Sequence, residues 1–126
     1  MVPAAPRLGQ DLVDVGRFRR ALARQERGFR RRVLTAAEWA WSASEADPVP
    51  RAAACFAAKE AAFKALGTGW GAGVGWQDVE VVEDGSALKL SGRAEALAAE
   101  AGLVLTVSLA HTPQAAVALV LAQPRS

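Results

Sequence analysis

The chain has 126 residues, of which 52% are hydrophobic, and it carries a formal net charge of +2. This length fits one domain with its own core, and the single cysteine, Cys55, excludes an internal disulfide and a cysteine cluster for zinc. The longest apolar run is too short to cross a bilayer and the N-terminus lacks a signal-peptide pattern, so we expect a soluble, cytoplasmic, single-domain protein.

The first half of the chain is predicted to contain one strand and two helices. Residues 1 to 7 are expected to form a loose leader, and residues 8 to 13 a short strand. A helix over residues 15 to 25 follows, with Asp14 as its N-cap. Thr35-Ala-Ala-Glu38 has the capping-box pattern that opens another short helix. Residues 42 to 50 are predicted to be a loop.

The second half begins with the clearest helix, over residues 51 to 66. It is rich in alanine, lacks glycine and proline, and is followed by Gly67 and a glycine-rich segment. The remaining predictions are strands at 76–82 and 88–90, a helix at 93–101, and strands at 104–109 and 115–121. Strands and helices mix without a βαβ rhythm, so we predict an α+β fold with an antiparallel sheet and a long central helix.

The basic charge is concentrated in one region. Eight arginines lie between Arg17 and Arg32, against one acid, Glu26. Such a block indicates either a solvated helix face or an anionic partner, which could be nucleic acid, an acidic protein or a phosphorylated ligand. Nucleic acid is the weakest of these, because the chain has no zinc motif and no strand pattern with interleaved aromatic residues.

Three charged residues are the main candidates for chemistry. Glu60 and Lys64 are four residues apart and so share one face of the predicted central helix, where an ordinary surface ion pair is the simpler interpretation. Asp11 lies in a short apolar strand, where a carboxylate is costly unless it caps, pairs or binds metal. If Asp11 and Glu60 converge, they supply hard oxygen ligands for magnesium, but the spacing alone does not establish convergence.

Other polar residues give weaker signals. The segment Gly67-Thr68-Gly69 follows a helix and is therefore no P-loop. It is either a helix cap with a connection or a loop whose amides approach a pyrophosphate. His111, the only histidine, lies at a strand end, where a structural role is the more common one. Cys55 is expected to be a small buried apolar residue. Since no activated nucleophile is evident, the nucleophile of an enzymatic reaction would arrive on the substrate.

Five segments in register resemble the small bacterial holo-acyl-carrier-protein synthases, a family of 4'-phosphopantetheinyl transferases. The most diagnostic segment reads Phe56-Ala-Ala-Lys59-Glu60-Ala-Ala-Phe-Lys64-Ala-Leu-Gly67-Thr68-Gly69. The others are residues 9–18, 29–38, 76–81 and 108–112, and the match spans about residues 8 to 122. The resemblance implies a homotrimer with active sites at subunit interfaces. It also implies transfer of 4'-phosphopantetheine from coenzyme A to a serine of an acyl carrier protein, with release of adenosine 3',5'-bisphosphate.

The resemblance also assigns expected roles by position. Asp11 and Glu60 match magnesium ligands and, with Lys64, form the expected catalytic set. The expected coenzyme A contacts are Lys59, Lys64, Gly67, Thr68, Gly69, His111 and Thr112. The expected carrier-protein docking residues are Arg17, Arg20 and Arg24. The client, whether a fatty-acid, polyketide or peptide-synthase carrier, stays open.

Three positions depart from the family pattern, and all three bear on nucleotide binding. Cys55 stands where an arginine is common, Ser86-Ala87 replaces a Gly-x-Pro-like turn, and Ala110 stands where a serine is common. We therefore hypothesise retained chemistry with altered coenzyme A affinity, compensated by Arg51 one turn earlier on the helix. The alternative function is a non-catalytic trimer that binds coenzyme A or carrier protein without transfer.

Overall fold

The strands form two antiparallel sheets in the computed structural model, which describes residues 5–25, 28–67 and 73–125. A three-stranded sheet has the order β1-β5-β4, and a two-stranded sheet pairs β2 with β3. The strand bounds are β1 Arg7–Asp14, β2 Val79–Val82, β3 Ala87–Leu90, β4 Leu103–His111 and β5 Ala115–Pro124. The register pairs Asp11 of β1 with Ala118 of β5.

Five helices accompany the sheets in the described parts of the chain, so the predicted α+β class is confirmed. Their bounds are α1 Val15–Arg24, α2 Phe29–Val33, α3 Ala36–Ala43, α4 Val49–Leu66 and α5 Gly92–Ala101. Helix α2 was not predicted; it has only five residues, three of them consecutive arginines. Residues 76–78, predicted as strand, form a 3₁₀ turn ahead of β2. Arg7, assigned to the leader, is the first residue of β1.

The local signals for helix ends are confirmed. Asp14 accepts a hydrogen bond from the Arg17 amide at 3.1 Å, which satisfies one free N–H at the start of α1. Thr35 and Glu38 form the reciprocal capping box of α3. Gly67 ends α4 in the left-handed region at φ 75°, a conformation that glycine adopts without strain.

Helix α4 lies in the centre of the core, against the inner face of the three-stranded sheet. Its many alanines are fully buried, and they allow the helix backbone to approach β1 closely. At the closest point, a Cβ added to Gly9 would lie 1.9 Å from the Ala61 carbonyl oxygen. This contact requires glycine at position 9, and it brings the end of β1 beside the second half of α4.

The outer face of the three-stranded sheet carries exposed apolar side chains. Leu12 is 72% exposed and Leu119 is 42% exposed, and the other members of this outer face are Leu8, Val104 and Val117. An apolar patch of this kind on a single chain is typical of an interaction surface. None of the helices in the described ranges is long and apolar enough to span a membrane.

Candidate active site

A cleft lies between α1 and α4 at the end of β1, and it contains both predicted metal ligands. Asp11 from β1 and Glu60 from α4 line this cleft, which has a volume of about 420 Å³. The carboxylates are 49 positions apart in sequence, and the close packing of α4 on β1 brings them to one place. Arg17 and Arg24 of α1 line the same cleft.

Asp11 also faces a second, adjoining depression that contains Lys64. The lining of that depression is Gln10, Asp11, Leu12, Lys64 and Val117. The Lys64 ammonium donates to the Gln10 carbonyl oxygen at 2.9 Å and to Asp11 Oδ1 at 3.2 Å. Asp11 therefore lies between the arginine-lined cleft and the depression that contains Lys64. All three predicted catalytic residues lie around β1.

The neighbouring charges at this site shift the pKa of Glu60 in opposite directions. Burial raises the pKa of the Glu60 carboxyl, and the neighbouring Asp11 carboxylate raises it further, while Lys64 lowers it. Two carboxylates held close together in this way favour a shared cation. Oxygen ligands of this kind are the ones that magnesium prefers, so the two carboxylates fit a divalent ion for which water and phosphate would have to supply the remaining ligands. In the part of the chain that the structure describes, no group of three or more His, Cys, Asp or Glu side chains could hold a metal.

Lys59 does not take the role expected for it. Its side chain is 0% exposed, and its ammonium pairs with Glu38 Oε1 at 2.8 Å. The ammonium also donates to the Val79 and Trp76 carbonyl oxygens at 2.6 and 3.2 Å. Because an ammonium has only three hydrogens, these partners leave none for coenzyme A. The expected coenzyme A contact at Lys59 is therefore wrong, and the residue ties α4 to α3 and β2 within the core.

Glu38 is the partner that the sequence did not indicate. Its carboxylate accepts hydrogen bonds from Thr35 and from the Val81 amide at 2.9 and 2.8 Å, in addition to its ion pair. The capping-box pattern identified Glu38 as a helix-start residue. The hydrogen bond from Val81 to its second oxygen and the ion pair with the buried Lys59 join residues that are distant in sequence. A local sequence pattern therefore does not predict them.

The remaining expected coenzyme A contacts lie apart from Asp11 or outside the described residues. Gly67 caps α4, and Thr68 and Gly69 lie outside the described residues. His111 is exposed at the end of β4, two strands away from β1, which corresponds to about 10 Å across the sheet. The Thr112 hydroxyl accepts from the Gln114 and Ala115 amides and so stabilises the β4–β5 turn. His111 lines neither of the two depressions that contain Asp11.

The arginine-lined cleft has an aromatic floor. The rings of Phe18, Phe29 and Phe56 lie with centroids 5.3 to 6.4 Å apart, and all three side chains line the cleft. The side chains of Arg17, Arg20 and Arg24 are exposed on α1. Exposed guanidinium groups beside an apolar floor suit an acidic partner surface that also presents an apolar side chain.

Packing fixes both Cys55, which departs from the family pattern, and Arg51, which was expected to compensate for it. Cys55 is fully buried, and burial, followed by the Glu38 charge, raises the pKa of its thiol to about 12. The Arg51 guanidinium stacks over the Trp41 ring at 4.4 Å, donates to the Trp41 carbonyl oxygen at 2.9 Å and pairs with Glu45. Compensation of Cys55 by Arg51 would require these contacts to break, so the structure gives that hypothesis no support.

Comparisons with known proteins agree with this fold. A family model described as the 4'-phosphopantetheinyl transferase superfamily matches residues 7–118. The chain is 37% identical to a Chlorobaculum tepidum holo-[acyl-carrier-protein] synthase, with 94% of this chain and 98% of the relative covered. It is 40% identical to the same kind of synthase from Geotalea daltonii, with 88% and 92% covered.

Solved structures show the same likeness. An ACPS–CoA complex from Chronobacterium ammoniagenes superimposes with a TM-score of 0.84 at 27% identity, covering 98% of this chain and 100% of that one. The holo-[acyl-carrier-protein] synthase of Neisseria meningitidis gives a TM-score of 0.80 at 29% identity, covering 93% and 97%. The chain therefore belongs to the 4'-phosphopantetheinyl transferase superfamily and, within it, to the holo-[acyl-carrier-protein] synthases.

Proposed function

We propose that this chain transfers 4'-phosphopantetheine from coenzyme A to a serine of an apo-acyl carrier protein. The observation that carries the proposal is the meeting of Asp11, Glu60 and Lys64 between two adjoining depressions, in a chain of this family. The serine oxygen forms a bond to the pantetheine-bearing phosphorus, and the bond from that phosphorus to the bridging oxygen breaks. Adenosine 3',5'-bisphosphate leaves, and the serine loses its proton to a base.

Asp11 and Glu60 are the proposed ligands of a magnesium ion. Support comes from the raised pKa of Glu60, which is caused first by burial and then by the Asp11 carboxylate, whose repulsion a divalent cation would relieve. When bound, magnesium would offset the negative charge on the diphosphate as the P–O bond breaks. Lys64 is the proposed contact to the same phosphates, because its exposed ammonium lies directly beside Asp11.

The two depressions give the two substrates separate approaches to Asp11. We assign the coenzyme A diphosphate to the Lys64 side and the carrier protein to the arginine-lined cleft. Arg17, Arg20 and Arg24 would attract an acidic carrier by complementary charge, which chiefly raises the association rate. We also propose that the reaction takes place in the cytoplasm.

We further propose a homotrimer, as the family resemblance implies. The exposed apolar outer face of the three-stranded sheet supports burial against another subunit. A neighbouring subunit would also bring a second His111 towards the carboxylates, from which the histidine of the same chain is separated by two strand spacings. Gly67, Thr68, Gly69 and Thr112 stay as candidate coenzyme A contacts.

Mass spectrometry of the carrier protein tests the function. Purified chain is incubated with coenzyme A, magnesium and several apo-carrier proteins, and each carrier is weighed afterwards. We expect a mass gain of one 4'-phosphopantetheine group on at least one carrier, and loss of that gain with Asp11→Asn. Binding of coenzyme A without any mass gain across the carriers would favour a non-catalytic binding protein instead.

A further inference from the structure

Lys64 occupies the position of a counter-ion at the carboxylate pair. Its ammonium lies 3.2 Å from Asp11 Oδ1, and its second contact is the backbone carbonyl of Gln10. Glu60 lies one helical turn before Lys64 and was the partner expected from the i,i+4 spacing. In the described residues, Lys64 instead forms an ion pair with Asp11, which is 53 positions away in sequence.

The exposure of the two partners differs. The Lys64 side chain is 54% exposed, whereas the Asp11 side chain is 20% exposed and is fixed on β1. A partly exposed ion pair contributes little free energy, so the lysine leaves its partner at small cost.

The other charged groups around Asp11 do not duplicate this contact. Arg17 and Arg24 line the arginine-lined cleft, on the α1 side of Asp11. Arg7, the nearest basic residue on β1, donates to the Leu66 carbonyl oxygen at 3.4 Å and so lies at the end of α4. Among the residues that the structure describes, Lys64 is therefore the cation that balances Asp11.

We infer that Lys64 and a divalent cation compete for Asp11, so that metal binding releases the lysine to the coenzyme A diphosphate. This inference rests on the proposed function, because it takes the Asp11–Glu60 pair as the metal site. In this proposal Lys64 contacts Asp11 when no metal is bound and the coenzyme A diphosphate when metal is bound. Metal alone must displace an ammonium, whereas metal together with diphosphate gives that ammonium a new anionic partner. Metal and coenzyme A therefore strengthen each other's binding through one side chain.

Direct metal titration tests this coupling without any measurement of catalysis. Magnesium is titrated calorimetrically into the full chain, with manganese and its electron spin resonance signal as a second probe. The variants are Lys64→Met, which removes the ammonium, and Lys64→Arg, which keeps a cation. Without coenzyme A, we expect Lys64→Met to bind the metal roughly three- to tenfold more tightly than wild type, and Lys64→Arg to resemble wild type.

Repeating the titration with coenzyme A measures the coupling itself. The ligand should tighten metal binding in wild type and tighten it markedly less in Lys64→Met. Equal or weaker metal affinity for Lys64→Met without coenzyme A would overturn the inference. If Asp11→Asn abolishes metal binding while Lys64→Met leaves it unchanged, only the competition is wrong. If wild type binds no metal even with coenzyme A, the proposed metal site fails as well.

Discussion

At the scale of single residues, Glu60 carries a pKa raised above its ordinary value of 4.5 by burial and by Asp11. The native state therefore holds more protons than the unfolded state between the two pKa values, and stability falls as pH rises through that window. We expect Glu60→Gln to match or exceed wild type in unfolding free energy at pH 7. The difference should vanish below about pH 4.5, where the carboxyl is protonated in both states. Urea denaturation at several pH values measures this, and a less stable variant at pH 7 would contradict it.

Two lysines on the same helix give a sharper contrast between structure and function. Lys59→Met leaves the buried Glu38 carboxylate without its counter-ion, and we expect a loss of about 3–5 kcal/mol in unfolding free energy. Lys64→Met, five positions later on α4, serves as the matched control. It should change stability by less than about 1 kcal/mol while it removes the proposed phosphate contact. Chemical denaturation of both variants measures the difference, and similar costs would show that Lys59 is not a core residue.

At the scale of elements, the packing of α4 on β1 depends on one glycine. Gly9→Ala would place its Cβ 1.9 Å from the Ala61 carbonyl oxygen, and a helix backbone has little freedom to move aside. We expect a loss of about 3 kcal/mol or more in unfolding free energy, together with a displaced Asp11 and reduced transfer. Gly16→Ala is the control, because the nearest atom to its Cβ is 3.2 Å away on the Asp14 side chain. Because that atom is the oxygen with which Asp14 caps α1, Gly16→Ala should cost no more than the loss of this cap, about 1 kcal/mol, and so much less than Gly9→Ala. An unchanged Gly9→Ala protein would contradict the close packing.

The elements that the sequence predicted well are those with strong local signals. Helix α4 follows from its alanines and from Gly67, and α1 and α3 follow from caps at Asp14 and Thr35, because these contacts lie within a few residues of each other. Helix α2 was missed because five residues with three arginines have no apolar periodicity. A helix this short forms only against the rest of the chain.

The candidate site was predicted in its parts but not in its arrangement. The cost of a carboxylate in an apolar strand drew attention to Asp11, and helix spacing placed Glu60 and Lys64 together. Their meeting depends on the approach of α4 to β1 at Gly9, which no spacing encodes. For the same reason, burial of Lys59 against Glu38 was not foreseen: the two residues lie on different helices and meet only in the core.

At the scale of the whole molecule, the outer face of the three-stranded sheet is the feature that a single chain leaves open. Leu119 lies on the central strand β5, pointing outward, and is 42% exposed. Leu119→Asp should convert the proposed trimer to monomers, because burying a carboxylate in an apolar interface is costly. Light scattering after gel filtration measures the mass. The control is Lys89→Asp, at an exposed position of β3. A wild-type monomer, or a Leu119→Asp trimer, would contradict the proposed assembly.

The most direct test of the account is a magnesium titration of the transfer rate for wild type, Asp11→Asn, Glu60→Gln and the double variant. If the two carboxylates hold one ion, each single variant should lose at least about 100-fold in rate at low magnesium. The double variant should then be little worse than either single variant, because both changes remove the same unit. Full activity in either single variant, or losses that simply multiply in the double variant, would contradict a shared metal site at Asp11 and Glu60.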